Sequence, residues 1–124
     1  MLVPEELLAM AVSTYTDARV LRDFRDLFGL TLDDVEAQGI SRATWARIEQ
    51  GLEISHRPGV AKRIAVIRAL MEQVGTMTYR EAREWAGRPL RGRGKSPSDF
   101  VKSSFLGLNT IRRHLASQQD FVAS

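Results

Sequence analysis

Residues 41–51 read SRATWARIEQG and combine cationic, hydrogen-bonding and small side chains at helical spacing. On a helix that begins at Ser41, Trp45 and Ile48 share one face. The other face carries polar and small side chains, Arg42, Ala43, Ala46, Arg47 and Gln50. Arginine can bridge guanine or clamp phosphate, glutamine can pair with adenine or phosphate, and alanine permits close approach. The pattern predicts a helix that enters the major groove of DNA, while an ordinary amphipathic surface helix would show the same pattern.

The residues before this segment predict the elements that would position it. Thr31 predicts the start of a short helix, TLDDVEAQ, that ends at Gly39. Ser41 is the predicted cap of the second helix, which Gly51 closes. Two short helices joined by a turn that contains glycine, the second of them basic, are typical of a helix-turn-helix.

Apolar periodicity predicts two longer helices around this pair. The first runs from Thr16 to Gly29, and the second begins at Pro58 and ends at Gly75. Their apolar positions are Val20, Leu21, Phe24, Leu27 and Phe28 in the first helix, and Val60, Ile64, Ile67, Met71 and Val74 in the second.

The remaining segments predict further helices, so the expected fold class is all-α. Thr78 with Glu81 forms a capping box, residues 96–99 (SPSD) begin another short helix, and Asn109 is the predicted cap of the last one. Residues 87–97, GRPLRGRGKSP, are typical of a loop. Residues 3–6, VPEE, predict an additional helix start near the beginning of the chain. No segment alternates convincingly enough to predict a strand.

Residues 21–31 and 39–51, LRDFRDLFGLT and GISRATWARIEQG, resemble the lambda-repressor-like, or Xre, family of DNA-binding domains. The resemblance implies that Ser41, Arg42, Ala43, Thr44, Arg47 and Gln50 contact double-stranded DNA. It also implies a structural ion pair between Arg25 and Glu49, which gives Arg25 a structural role instead of a DNA contact. Trp45 stands where the family usually has Ile or Val.

Residues 80–115 resemble the toxin-binding domain of the Xre/MbcA/ParS antitoxins. The shared features are a helix that carries Trp85, a loop rich in Pro and Gly, and a final helix after Gly107. The resemblance implies a protein that represses its own operon and binds a cognate toxin, often an NAD-degrading enzyme. The expected partner-binding residues are Arg91, Arg93, Lys95, Asn109, Arg112 and Arg113, and the expected structural residues include Trp45 and Trp85.

Charge is distributed unevenly along the 124 residues. Residues 1–40 contain three Arg and eight acids, whereas residues 41–124 contain fifteen Lys and Arg and seven acids, which gives the total of +3. A phosphate-facing surface would explain the basic part, and so would a solvated face or a surface for an acidic partner. We therefore expect residues 1–75 to be a helix-turn-helix domain and residues 76–124 to be a helical partner-binding region.

Other classes of function have little support in the sequence. There is no Cys, and His56 and His114 lack metal-ligand spacing, so neither a metal nor a cofactor is expected. Residues 89–96, PLRGRGKS, lack the first glycine and the preceding strand of a phosphate-binding loop. No apolar run approaches the roughly 20 residues of a membrane span, and a cytoplasmic protein is expected.

The sequence therefore predicts an antitoxin that represses its own operon, and we expect homo-oligomers. Two alternatives remain open. One is a homodimeric repressor without a toxin, and the other is an interaction protein that has lost DNA binding. An enzyme is the remotest alternative, because no nucleophile, base and orienting group converge.

Overall fold

The computed structural model describes residues 15–52 and 57–123, with side chains through residue 117. The described part of the chain contains six α-helices and one 3₁₀ helix, joined by turns and loops, and no strand. These elements are α1 (Asp17–Phe28), the 3₁₀ helix (Asp34–Gln38), α2 (Arg42–Glu49), α3 (Pro58–Val74), α4 (Tyr79–Gly87), α5 (Pro97–Ser103) and α6 (Phe105–Ala123). The all-α prediction is thus confirmed for this part. The predicted helix start at residues 3–6 and the side chain of His56 lie outside it.

Local capping chemistry explains most helix starts. The Thr16 hydroxyl accepts a hydrogen bond from the Arg19 N–H at 3.3 Å, and Gly29 ends α1 with φ 65°. Both predicted acidic starts are capping boxes, in which Thr78 pairs with Glu81 and Ser96 with Asp99. Bonds from backbone N–H groups lower the pKa of each of these carboxyls.

Two predicted element starts are corrected. The segment after Thr31 is a five-residue 3₁₀ helix, Asp34–Gln38, instead of a helix that begins at Thr31. A turn precedes it, in which Thr31 and Asp34 exchange side-chain and backbone bonds of 2.9 and 3.2 Å. Asn109 does not cap the last helix, which begins four residues earlier at Phe105. The Ser104 hydroxyl accepts from the Gly107 N–H at 3.0 Å, and this bond makes Ser104 the cap.

A single hydrophobic core crosses the boundary that we expected at residue 75. Helix α1 packs against α2, α3 and α4, while α6 packs against α3, α5 and the 3₁₀ helix. Leu108, Ile111 and Leu115 of α6 join the same buried cluster as Phe24 and Trp45. The amide of buried Gln38 also donates to the Val101 carbonyl of α5. The C-terminal helices therefore help to position the segment that precedes α2.

Candidate nucleic-acid interface

Helix α2 begins at a side-chain cap. Ser41 has extended backbone, and its hydroxyl accepts from the Thr44 N–H at 3.2 Å. The same hydroxyl donates to the Thr44 hydroxyl at 2.9 Å. Ser41 is exposed and Thr44 is half-buried. Their first role is to fix the start of α2, which leaves free acceptor positions at the rim of the exposed face.

The two faces of α2 are those that the sequence predicts, except at Ala46. Trp45 and Ile48 are buried, and Arg42, Ala43, Arg47 and Gln50 are exposed. Ala46 lies between the two faces and is half-buried. The Trp45 ring packs 6.0 Å from that of Phe24 on α1. The exposed face therefore carries two guanidinium groups, one amide and one small side chain, which are the donors and the space that a nucleic-acid surface requires.

Glu49 is the acid of α2, and it points away from this face. It is 8% exposed, and its two carboxylate oxygens accept from Arg25 at 2.9 and 3.0 Å. The ion pair implied by the resemblance is thus present. The hydrogen bond with Glu49 raises the pKa of Arg25, although burial acts in the opposite direction. Because its charge is compensated by α1, Glu49 adds little repulsion toward a phosphate backbone.

Arg22 is a second contact to α2 that sequence reasoning missed. One of its Nη atoms donates to the Glu49 carbonyl at 3.1 Å, and its Nε lies 4.0 Å from a Glu49 carboxylate oxygen. Arg22 lies three residues before Arg25, so the two side chains are neighbours on the surface of α1. This i, i+3 spacing is the signal that could have revealed the second contact. Both arginines fasten the C-terminal end of α2 to α1.

Arg42 is paired with an acid, which the sequence did not predict. Its guanidinium lies 2.6 Å from the Asp33 carboxylate, and the two side chains are 57% and 79% exposed. Exposed pairs of this kind are worth ~0–1 kcal/mol. Arg42 can therefore exchange Asp33 for a phosphate or a base at small cost.

The turn before α2 is shaped by Gly39 and filled by Arg63. Gly39 has φ 80°, and the Arg63 side chain of α3 occupies the space where a Cβ would stand. The Arg63 guanidinium also lies over the Phe105 ring at 5.0 Å from its centre. Contacts from α3 and α6 thus hold the turn that sets the direction of α2.

The expected partner-binding residues are distributed over two elements. Arg91, Arg93 and Lys95 are exposed on the loop before α5, and Arg113 is exposed on α6. Asn109 and Arg112 bond to each other within α6 at 3.0 and 3.2 Å. Of the six expected residues, Arg93 and Arg113 line one cleft together.

Trp85, an expected structural residue, packs against α1. It is half-buried on α4, and its ring lies 6.1 Å from that of Phe28. The indole N–H groups of Trp45 and Trp85 are buried without a hydrogen-bond partner among the described residues. Both rings therefore act through packing.

Comparisons with known proteins provide no independent assignment. No family model matches this chain, and no match is found among the curated proteins or the solved structures. Within the described ranges, no three His, Cys, Asp or Glu side chains are grouped as a metal would require. None of the helices described here has the length and apolar character to cross a membrane.

Proposed function

We propose that this protein binds double-stranded DNA through α2 and represses the operon that encodes it. The observation that carries the proposal is the exposed face of α2, where Arg42, Ala43, Arg47 and Gln50 stand opposite a buried Glu49. A short helix fastened at its C-terminal end by Arg22 and Arg25 presents that face on a rigid support. Rigid presentation favours base recognition, because fewer side chains and helices must be ordered on binding.

The sequence resemblance extends the proposal to an antitoxin that also binds a cognate toxin. Its support is the exposed basic loop that carries Arg91, Arg93 and Lys95. A loop of this charge suits an acidic surface on a second protein. The toxin would be encoded beside this gene, and an NAD-degrading enzyme is the kind that the resemblance implies.

DNA binding is tested with the full chain and duplexes from the region upstream of its gene, at several salt concentrations. Arg42→Ala and Arg47→Ala should each weaken binding by about 1–3 kcal/mol if the arginine reads a base. A phosphate contact should instead reduce the salt dependence. Thermal stability should stay nearly unchanged, because both side chains are exposed.

The matched control is Arg80→Ala, which removes the same charge from an exposed position on α4. If Arg80→Ala loses as much affinity for DNA as Arg42→Ala does, only the net charge of the protein matters. Absence of duplex binding by the wild-type chain, even at low salt, would refute the DNA proposal. Co-purification with the product of the adjacent gene and suppression of its toxicity test the antitoxin role separately.

A further inference from the structure

A cleft of about 300 Å³ lies between the loop before α5 and one face of α6. Leu90, Arg93, Thr110, Arg113 and His114 line it. None of these residues belongs to α2, to the turn before it or to α1, whose arginines bond to Glu49. The cleft is therefore separate from the candidate DNA-binding face, and it requires its own explanation.

Backbone bonds fix the loop side of the cleft. The Leu90 N–H donates to the Lys95 carbonyl at 2.8 Å, and the Arg93 N–H donates to the Leu90 carbonyl at 3.0 Å. Gly92 and Gly94 have φ values of 79° and 70°, which other residues rarely adopt. The backbone at Arg93 is therefore set before any ligand arrives, which lowers the entropic cost of binding.

Helix periodicity fixes the other side. Thr110, Arg113 and His114 are spaced i, i+3 and i+4, so they share one face of α6. Arg112 is turned away and donates two hydrogen bonds to the Asn109 side chain. Of the two adjacent arginines in α6, only Arg113 thus serves the cleft.

The lining has the chemistry of an anion site. It holds two guanidinium groups and one imidazole, without a carboxylate. The Thr110 hydroxyl donates to the Leu106 carbonyl at 3.0 Å and so is not a donor to the cleft. Among the side chains that the structure describes, no acid lies within ion-pair distance of Arg93 or Arg113. Guanidinium groups match the geometry of phosphate oxygens. Leu90 adds an apolar wall against which a ring can rest.

We infer that this cleft binds a small molecule that carries a phosphate monoester. Arg93 and Arg113 hold the phosphate, and Leu90 contacts the organic part. The volume is at the small end of ligand sites and accommodates a compound of about mononucleotide size. The donors are side chains, so the site differs from a glycine-rich backbone loop. The inference does not depend on the proposed DNA binding.

The test titrates the full chain with adenosine monophosphate, inorganic phosphate and adenosine, followed by amide NMR shifts and calorimetry. Adenosine monophosphate should bind more tightly than either other probe and shift the signals of Leu90, Arg93 and Arg113. Arg93→Gln and Arg113→Gln should each weaken binding about tenfold. Arg91→Gln is the matched control, because it removes an exposed charge from the same loop but not from the cleft, and its affinity should equal that of wild type.

Three outcomes would overturn the inference. The first is no saturable binding of adenosine monophosphate at millimolar concentration. The second is an equal loss of affinity in Arg91→Gln, which would indicate diffuse charge attraction. The third is equal affinity for inorganic phosphate, which would identify a free anion as the ligand. Each variant is first shown to melt at the wild-type temperature, so that unfolding cannot mimic loss of binding.

Discussion

The contact between Glu49 and Arg25 connects the sequence pattern to the candidate function at the residue scale. A carboxylate that is 8% exposed would be costly without a partner, and the two bonds from Arg25 compensate for the lost hydration. The pair also determines which side of α2 faces outward. The ion pair therefore orients α2 as well as stabilising the fold.

We predict a measurable coupling energy between Arg25 and Glu49. A double-mutant cycle with Arg25→Ala and Glu49→Ala should give more than the ~1 kcal/mol that exposed pairs reach. Arg22 retains one contact to the Glu49 carbonyl in both variants, so complete unfolding is not expected. Urea unfolding of the four proteins measures the coupling.

The pair of Arg42 and Asp33 is the matched control for this cycle. It has the same chemistry and a distance of 2.6 Å, but both side chains are mostly exposed. Its cycle should give less than about 1 kcal/mol. If the two cycles give the same coupling, burial of Glu49 is not what strengthens the first pair.

At the scale of elements, the sequence predicts those helix bounds and buried faces that depend on residues close together in the chain. The bounds of α3, the buried face of α1 and both capping boxes follow from spacings of three or four residues. Asn109 was wrong as a cap because the helix already begins at Phe105, where Ser104 forms the capping bond. Nothing local distinguishes these two candidates, since the choice depends on how α6 packs against α5.

Gly107 lies where α5 and α6 approach each other closely, and it yields a prediction about this junction. A Cβ at Gly107 would overlap the Phe100 carbonyl oxygen and lie 3.0 Å from the Ser103 hydroxyl oxygen. Gly107→Ala should therefore destabilise the protein by about 1–3 kcal/mol, although alanine favours helices. Thermal and urea unfolding measure the change.

Gly87→Ala is the control for this substitution. Gly87 is the last residue of α4, and a Cβ there meets no atom within 4 Å. That variant should be neutral or stabilised by up to ~1 kcal/mol. A Gly107→Ala protein as stable as wild type would mean that α5 and α6 do not approach each other this closely.

At the scale of the whole molecule, the sequence could predict two segments but not how they join. The bond from Gln38 to the Val101 carbonyl spans 63 positions, and no local pattern indicates it. Ile111 and Leu115 of α6 are also buried in the shared core, and their partners there could not be predicted from local spacing. The candidate DNA-binding face is therefore supported partly by residues that we had expected to serve only a partner.

We predict that the region around α2 loses stability when the core is altered in α6. Ile111 is fully buried in the shared core, so Ile111→Ala should cost about 2–5 kcal/mol. Trp45 and Trp85 are the two tryptophans, and Trp85→Phe leaves Trp45 as the reporter for α2. In the Trp85→Phe background, Ile111→Ala should lower the free energy of unfolding that Trp45 fluorescence reports in urea by that same amount.

Leu106→Ala is the control, on the same helix but at a side chain that is 74% exposed, and it should leave the Trp45 transition unchanged. If Ile111→Ala leaves the Trp45 transition unchanged, residues 1–75 fold as an independent domain.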